Sequence, residues 1–365
     1  MTEIAPRFNL YALPVRSASI NIRIMKLVMR ARVAVIGAGY WGPNLIRNLY
    51  AVDPDCVSFI CDRNQTRLDH LREHYPTLRM TTSIDEVLAD ADTDAVMLAL
   101  PPVLHHDTAL RALEAGKHLF VEKPLALSVE EAAEVVDAAV RARRQLMVGL
   151  VYRFNPMIDR ILDVIDAGWL GEITRVYSRR TNLNLREKNS NIIWMLAPHD
   201  VSILRHWFGH TPRVESVTAQ RIEHEDFEDQ AQVRLTVGGV RADLYMSWLD
   251  PVKTRRIVVI GTQGLLVYDE THSATAIKLY RNPTPGRELD YPIDQLEMMV
   301  RGLGAPFTAV HGDQTPIEPL AHEVQHFLSC LRTGNAPLTN GREALEVTQV
   351  IQTIMERLRG TTHAA

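Results

Sequence analysis

The chain has 365 residues, enough for two domains of about 150 residues and a smaller third. Hydrophobic residues make up 46% and charged residues 23%, an ordinary balance for a folded globular protein that excludes a disordered, collagen-like or miniprotein chain. A net charge of −4, from 40 basic and 44 acidic residues, offers no global basic field for nucleic acid or a membrane surface. No apolar run approaches the ~18 residues of a membrane span. Cys56, Cys61 and Cys330 have an odd count and no CxxC spacing, which argues against a disulfide scaffold or cysteine metal site and fits a reducing, cytoplasmic setting.

Residues 1–30 carry Arg7, Arg16, Arg23, Lys26 and Arg30 against the single acid Glu3, and show no apolar period. They read as a poorly ordered extension outside the fold. Two origins fit: a basic, acid-poor targeting segment, or residues upstream of a natural start at Met25 or Met29. From Arg32 the pattern alternates. Strands are expected at 33–36, 57–60, 95–99, 118–121 and 146–148, with helices over 42–50, 65–74, 105–115 and 128–143 between them. Ser128 and Glu131 form a capping box for the last of these helices. Strands alternating with helices of this length indicate a doubly wound parallel sheet over residues 31–150.

Beyond Gly149 the rhythm changes. A helix is expected over 155–167 and another after Pro198. Strands follow at 213–222, 230–237, 241–248, 255–260, 265–268 and 276–280, with Gly238-Gly239 as a hairpin turn. A loop containing Pro283, Pro285 and Gly286 leads to helices over 316–331 and 341–357. Residues 151–365 therefore read as an α+β domain with a large, mainly antiparallel sheet, its last helices free to pack back on the first domain.

The strongest chemical signal is Gly37-Ala-Gly39-Tyr40-Trp41-Gly42, between the first strand and the first helix. The first glycine permits the tight turn, the second admits a pyrophosphate to the backbone, and the third allows close helix–strand packing. The helix N-terminus supplies unpaired N–H groups and a favourable dipole. Asp62 ends the second strand about 20 residues after Gly42, where an acid holds the ribose 2′-hydroxyl. The carboxylate favours NAD and would repel a 2′-phosphate, while Arg63 beside it keeps NADP open. A second signal is Glu122-Lys123-Pro124 at the end of the fourth expected strand. Ligands of open α/β sheets bind outside the strands' carboxyl ends, so Lys123 is placed in the nicotinamide crevice and not on a plain surface loop.

With Pro101-Pro102 and His105, and a histidine farther on, these motifs resemble the Gfo/Idh/MocA oxidoreductases from Arg32 onward. Gly39–Leu45, Leu196–Asp200 and Trp248–Lys253 are most similar to the branch acting on nucleotide-linked or related sugars. The resemblance implies a Rossmann domain plus an open-faced α/β domain that forms a homodimer or homotetramer through its sheet, with substrate between the two. It implies Lys123 and His199 as the catalytic pair. Histidine titrates near neutrality and suits removal of a hydroxyl proton. The implied cofactor contacts are Gly37, Gly39, Tyr40, Trp41, Gly42, Asp62, Arg63, Pro101, His105, Glu122 and Lys123. The implied substrate contacts are Tyr152, Arg153, Asn155, Asn182, Asn191, Met195 and His199, Arg153 being suited to a phosphate or to a structural role.

The implied reaction is NAD-dependent oxidation of a secondary hydroxyl, at C3, of a sugar nucleotide, sugar phosphate or aminoglycoside-type glycoside, supplying a keto sugar for transamination. Keto-sugar reduction and regulatory binding of NAD and sugar without turnover are the other readings. One position departs from the family: Met195 stands where relatives carry an aspartate four residues before the histidine. That role is then lost or moved, with Asp200 the nearest substitute. His322-Glu323-Val-Gln-His326 fits the zinc-protease H-E-x-x-H pattern, but lacks a third-ligand motif, and no metal is expected. The pair His105-His106 reads as a helix start.

Overall fold

The computed structural model describes residues 31–183, 191–223, 226–271, 277–281, 308–310 and 318–362. The extension 1–30, the loop holding Pro283, Pro285 and Gly286, and the expected starts at Ala276 and Pro316 lie outside these residues.

Six strands form the first sheet: β1 (Val33–Ile36), β2 (Val57–Cys61), β3 (Met80–Thr81), β4 (Ala95–Leu98), β5 (His118–Glu122) and β6 (Leu146–Gly149). They run parallel in the order β3-β2-β1-β4-β5-β6. Continuous apolar runs such as Val33-Ala-Val-Ile36 form these strands because helices cover both faces, leaving every residue of β1 buried. The helices are α1 (Gly42–Val52), α2 (Gln65–His74), α3 (Ile84–Ala89), α4 (His105–Glu114) and α5 (Val129–Ala142). The Ser128 hydroxyl accepts from the Glu131 N–H at 3.1 Å, capping α5 as its sequence predicts. Chain order reverses between β1 and β4, where the register aligns Ile36 with both Cys61 and Leu98. The turns after these strands therefore meet at one edge, the switch point where such sheets take ligands.

The second sheet has eight strands in the order β14-β13-β12-β11-β7-β10-β9-β8. They are β7 (Ile173–Thr181), β8 (Arg213–Gln220), β9 (Gln230–Val237), β10 (Val240–Ser247), β11 (Thr254–Gly261), β12 (Gly264–Asp269), β13 (Ile277–Arg281) and β14 (Thr308–Val310). All neighbours are antiparallel except β7 with β10. β7 lies at the centre, although the sequence reading assigns no strand there; β3 and α3 are also absent from that reading.

α6 (Pro156–Asp166) separates the two sheets in sequence, and α7 (Ile192–Phe208) connects β7 to β8. α7 begins six residues before Pro198, correcting the expected start. Asn191 caps it, its Oδ1 accepting from the Trp194 N–H at 3.0 Å. Pro198 sits inside the helix, where its missing N–H leaves the Trp194 carbonyl without its usual donor.

The chain returns to the first sheet in α8 (Pro319–Thr333) and α9 (Gly341–Thr362). α8 packs on α1, with Phe327 edge-on to Phe120 at 5.6 Å and Arg47 paired to Glu318 at 2.6 Å. The Val148 N–H donates to the Thr339 carbonyl at 2.8 Å, so the segment before α9 runs along the edge strand β6. α9 bridges α5, α7 and β8. Among the described residues, no helix is long and apolar enough to cross a membrane.

Candidate functional site

The glycine loop has the sterics of a nucleotide cradle. Gly37 has φ +104°, and a Cβ there would stand 2.3 Å from the Ala99 carbonyl oxygen. A Cβ on Gly42 would stand 1.9 Å from the Gly37 oxygen, so α1 approaches β1 only without a side chain. At Gly39 the nearest atom to a Cβ is Arg67 Nη1 at 3.7 Å. That space lies beside the N-terminus of α1, where backbone N–H groups and the helix dipole favour a phosphate.

Asp62 secures the loop from β2. Its Oδ2 accepts from the Ala38 N–H at 2.7 Å and its Oδ1 from the Asn64 N–H at 2.8 Å. A carboxylate has about four acceptor sites, so capacity remains for ribose hydroxyls. The arginine at Asp62 is Arg67, 3.4 Å away, which the sequence reading missed; Arg63 is exposed. Tyr40, 77% exposed, and Pro101 stand at the rim of this edge.

The turn after β5 carries Lys123, whose Nζ donates to the Met195 carbonyl at 3.0 Å and so ties the two domains together. His105 is corrected from cofactor contact to internal strut. It is fully buried, with Nδ1 2.6 Å from the Pro124 carbonyl and Nε2 2.8 Å from that of Leu100. Burial outweighs those two acceptors and, with Lys123, holds its pKa below the ordinary histidine value. Glu122 is likewise an internal group. It accepts from Trp41 Nε1 at 2.6 Å, and burial pushes its carboxyl up to about 7 against the pull of Lys123. Trp41 thus links the glycine loop to the lysine turn.

His199 projects from α7 toward Lys123, Arg180 and Arg255. Burial first, then those three positive charges, hold its pKa well below the ordinary histidine value. Its Nδ1 is buried without a hydrogen-bond partner among the described residues. The Tyr152 ring lies 4.9 Å from the imidazole, centroid to centroid. Tyr152 donates its hydroxyl to Glu270 Oε2 at 2.8 Å, and the Arg180 guanidinium carbon stands 4.2 Å from the phenol centroid. Asp200 does not replace the missing family aspartate: it accepts from Arg180 Nε at 2.9 Å and from the Ser178 hydroxyl at 2.8 Å, facing the sheet. Met195 is not in a turn pointing into the cleft. It lies in the first turn of α7 with its side chain against the core, and its carbonyl accepts from Lys123.

Three of the remaining substrate candidates serve the scaffold. Arg153 is buried in an ion pair with Glu343 at 3.1 Å, which removes it as a phosphate ligand. Asn155 caps α6 through the Met157 N–H at 2.9 Å and donates to the Tyr268 hydroxyl at 2.9 Å. Asn191 caps α7 and donates to Glu228 at 3.0 Å. Asn182, half-buried, joins the Ser247 carbonyl through its backbone N–H at 3.0 Å. In the H-E-x-x-H stretch, His326 Nε2 accepts from the Leu338 N–H at 3.0 Å, while Glu323 is buried near Glu122. No group of three His, Cys, Asp or Glu among the described residues could hold a metal ion.

A family model described as an oxidoreductase family with an NAD-binding Rossmann fold matches residues 31–150, and the GFO/IDH/MocA C-terminal domain model matches 158–267. The chain belongs to the Gfo/Idh/MocA oxidoreductases. Its N-terminal domain is the family's NAD-binding Rossmann domain, and the open space at Gly39 together with Asp62 fits that cofactor. Among relatives, an uncharacterised oxidoreductase of Rhizobium meliloti is 37% identical over 36% of this chain and 40% of its own length. This chain thus spans less than half of that relative. The NAD(+)-dependent scyllo-inositol 2-dehydrogenase of Bacillus subtilis is 27% identical over 86% of this chain and 90% of its own. A UDP-N-acetylglucosamine 3-dehydrogenase from Acidithiobacillus ferrooxidans shares the fold, with TM-score 0.75 and 21% identity over 91% of this chain and 99% of that one.

Proposed function

We propose that this oxidoreductase takes a secondary hydroxyl of a sugar or sugar-like polyol to the ketone, with Lys123 and His199 as its catalytic pair. The observation that carries this reading is the placement of a buried imidazole, His199, close to Lys123 at the carboxyl edge of the cofactor sheet. NAD supplies the hydride acceptor when bound. His199 takes the hydroxyl proton, and its depressed pKa keeps the ring unprotonated and receptive at neutral pH. The Lys123 ammonium, held by the Met195 carbonyl, stabilises the oxygen as it becomes negative.

We assign residues 31–150 to the cofactor and 151–365 to substrate and to a homo-oligomer contact through the open sheet. Of the cations around His199, Arg180 is neutralised by Asp200, while Lys123 and Arg255 suit a substrate with anionic character, as in a sugar nucleotide or sugar phosphate. The family's sugar and inositol dehydrogenases support the substrate class, and C3 is the position proposed for a sugar nucleotide.

A screen of inositols, sugar phosphates, sugar nucleotides and aminoglycoside-type glycosides, followed by NADH absorbance, tests the reaction. Lys123→Ala and His199→Ala are expected to keep the fold and NAD affinity while losing about 10²–10⁴-fold in turnover. Losses below about tenfold in both would overturn the assigned pair. Saturable binding of NAD and sugar without turnover would favour the regulatory reading, to which the unpartnered Nδ1 of His199 lends weight.

A further inference from the structure

A histidine base ordinarily has its ring fixed by the hydrogen bond that its second nitrogen makes. At His199 that bond is missing among the described residues, because Nδ1 is buried without a partner. One turn earlier the helix offers the Met195 thioether, which packs on the core. Asp200, next in sequence, is held by Arg180 and Ser178. What meets the ring instead is the phenol of Tyr152, tilted at 56° with centroids 4.9 Å apart.

Tyr152 is itself anchored twice. Its hydroxyl donates to Glu270 at 2.8 Å, just beyond β12. Its ring lies 4.2 Å from the Arg180 guanidinium carbon, and Arg180 is locked by Asp200. The turn holding Tyr152 directly follows β6. A continuous set of contacts thus runs from the substrate sheet through the domain junction to the imidazole.

We propose that Tyr152 is a positioning residue, its anchored phenol setting the orientation of the His199 ring in place of a carboxylate. This rests on the reading of His199 as the base. A tilted ring contact of this kind has a preferred geometry and so favours one orientation of the imidazole. It differs from a carboxylate in one respect: a nearby negative charge raises an imidazole's basicity, and a phenol adds no such charge. The charged groups around the ring are Lys123 from the end of β5, Arg180 on β7 and Arg255 on β11. The acids beside them, Asp200 on α7 and Glu270 beyond β12, are engaged by Arg180 and Tyr152. The base is thereby oriented and still kept neutral.

Two substitutions in the full-length chain test this. Tyr152→Leu removes the ring and admits water, so kcat should fall by about tenfold, a part of the 10²–10⁴-fold a general base contributes. KM for NAD should hold, and the acid limb of the pH–rate profile should move to higher pH as burial of the imidazole is relieved. Tyr152→Phe keeps the ring and should restore both kcat and the limb. Tyr152→Gln replaces the leucine variant if that chain does not fold.

A readout free of turnover is the NMR titration of His199 in the NAD complex, its signal assigned by loss in His199→Asn. An upward titration shift in the leucine variant alone supports the proposal even if no sugar is oxidised, in which case the dehydrogenase reading falls by itself. An unmoved titration with oxidation retained, or a phenylalanine variant as impaired as the leucine one, overturns the positioning role.

Discussion

Glu323→Met should stabilise the protein and flatten its pH dependence. Glu323 has no exposed surface, and neither carboxyl oxygen has a hydrogen-bond partner among the described residues. Burial, and then the proximity of Glu122, push its pKa well above the ordinary carboxylate value. An unsatisfied buried polar group costs about 1–3 kcal/mol. Methionine fills a similar volume without polar demands. At roughly 2–4 °C per kcal/mol for chains of 150–250 residues, and less for a longer one, a rise in Tm of about 2–6 °C is expected.

The sign of the pH effect follows from the direction of the shifts. Both carboxyls are raised in the folded state, so above the ordinary value of 4.5 the folded chain holds more protons than the unfolded one, and stability falls as pH rises. For Glu122 the fall ends near the folded value of about 7, while for Glu323 it continues to higher pH. Methionine removes the Glu323 share and leaves that of Glu122. Thermal and urea unfolding of both chains at a series of pH values measures this. A variant less stable at every pH, or one with an unchanged slope, would show that Glu323 is satisfied in the native protein and refute the reasoning.

Gly42→Ala should abolish NAD binding and lower Tm, since its Cβ would sit 1.9 Å from the Gly37 oxygen; ordinary NAD affinity by titration would show that the loop accommodates a side chain. Met195→Asp, restoring the family residue, should cost about 1–3 kcal/mol of stability by placing a carboxylate against the core. An undiminished Tm combined with an acid limb moved to higher pH would instead place residue 195 beside the imidazole.

Most of the cofactor half is legible because its rules are strict, the two-residue β3 and the short α3 excepted. Continuous apolar strands, glycines at fixed offsets and an acid at the end of β2 each have one physical reading in a doubly wound sheet. β7 escaped because it is a buried strand built from charges. Arg175 pairs with Asp243 and Arg180 with Asp200, so a stretch that reads as polar connection is the middle of the second sheet. Asn155 and Asn191 fit a substrate role by analogy, yet an asparagine before a helix is first a cap, and Asn155 stands directly before Pro156, a favoured first helical residue. The sequence suggests a start of α7 after Pro198 because proline favours a first turn, whereas here the surrounding structure supports a proline inside the helix. Nothing local in the sequence announces that His105 spans two carbonyls, or that Tyr152 faces His199, since both depend on turns brought together across the fold.

The return of α8 and α9 to the first sheet bears on how the protein is made. Arg47 and Phe120 find Glu318 and Phe327, and β6 finds Thr339, only after the whole second sheet has emerged from the ribosome. During synthesis the nascent nucleotide-binding half therefore presents an uncovered apolar side along α1 and β6. Chaperone engagement should be greatest in that interval. A gene fusion or split that separates residues 318–362 from the first 150 should yield insoluble material unless both fragments are produced together.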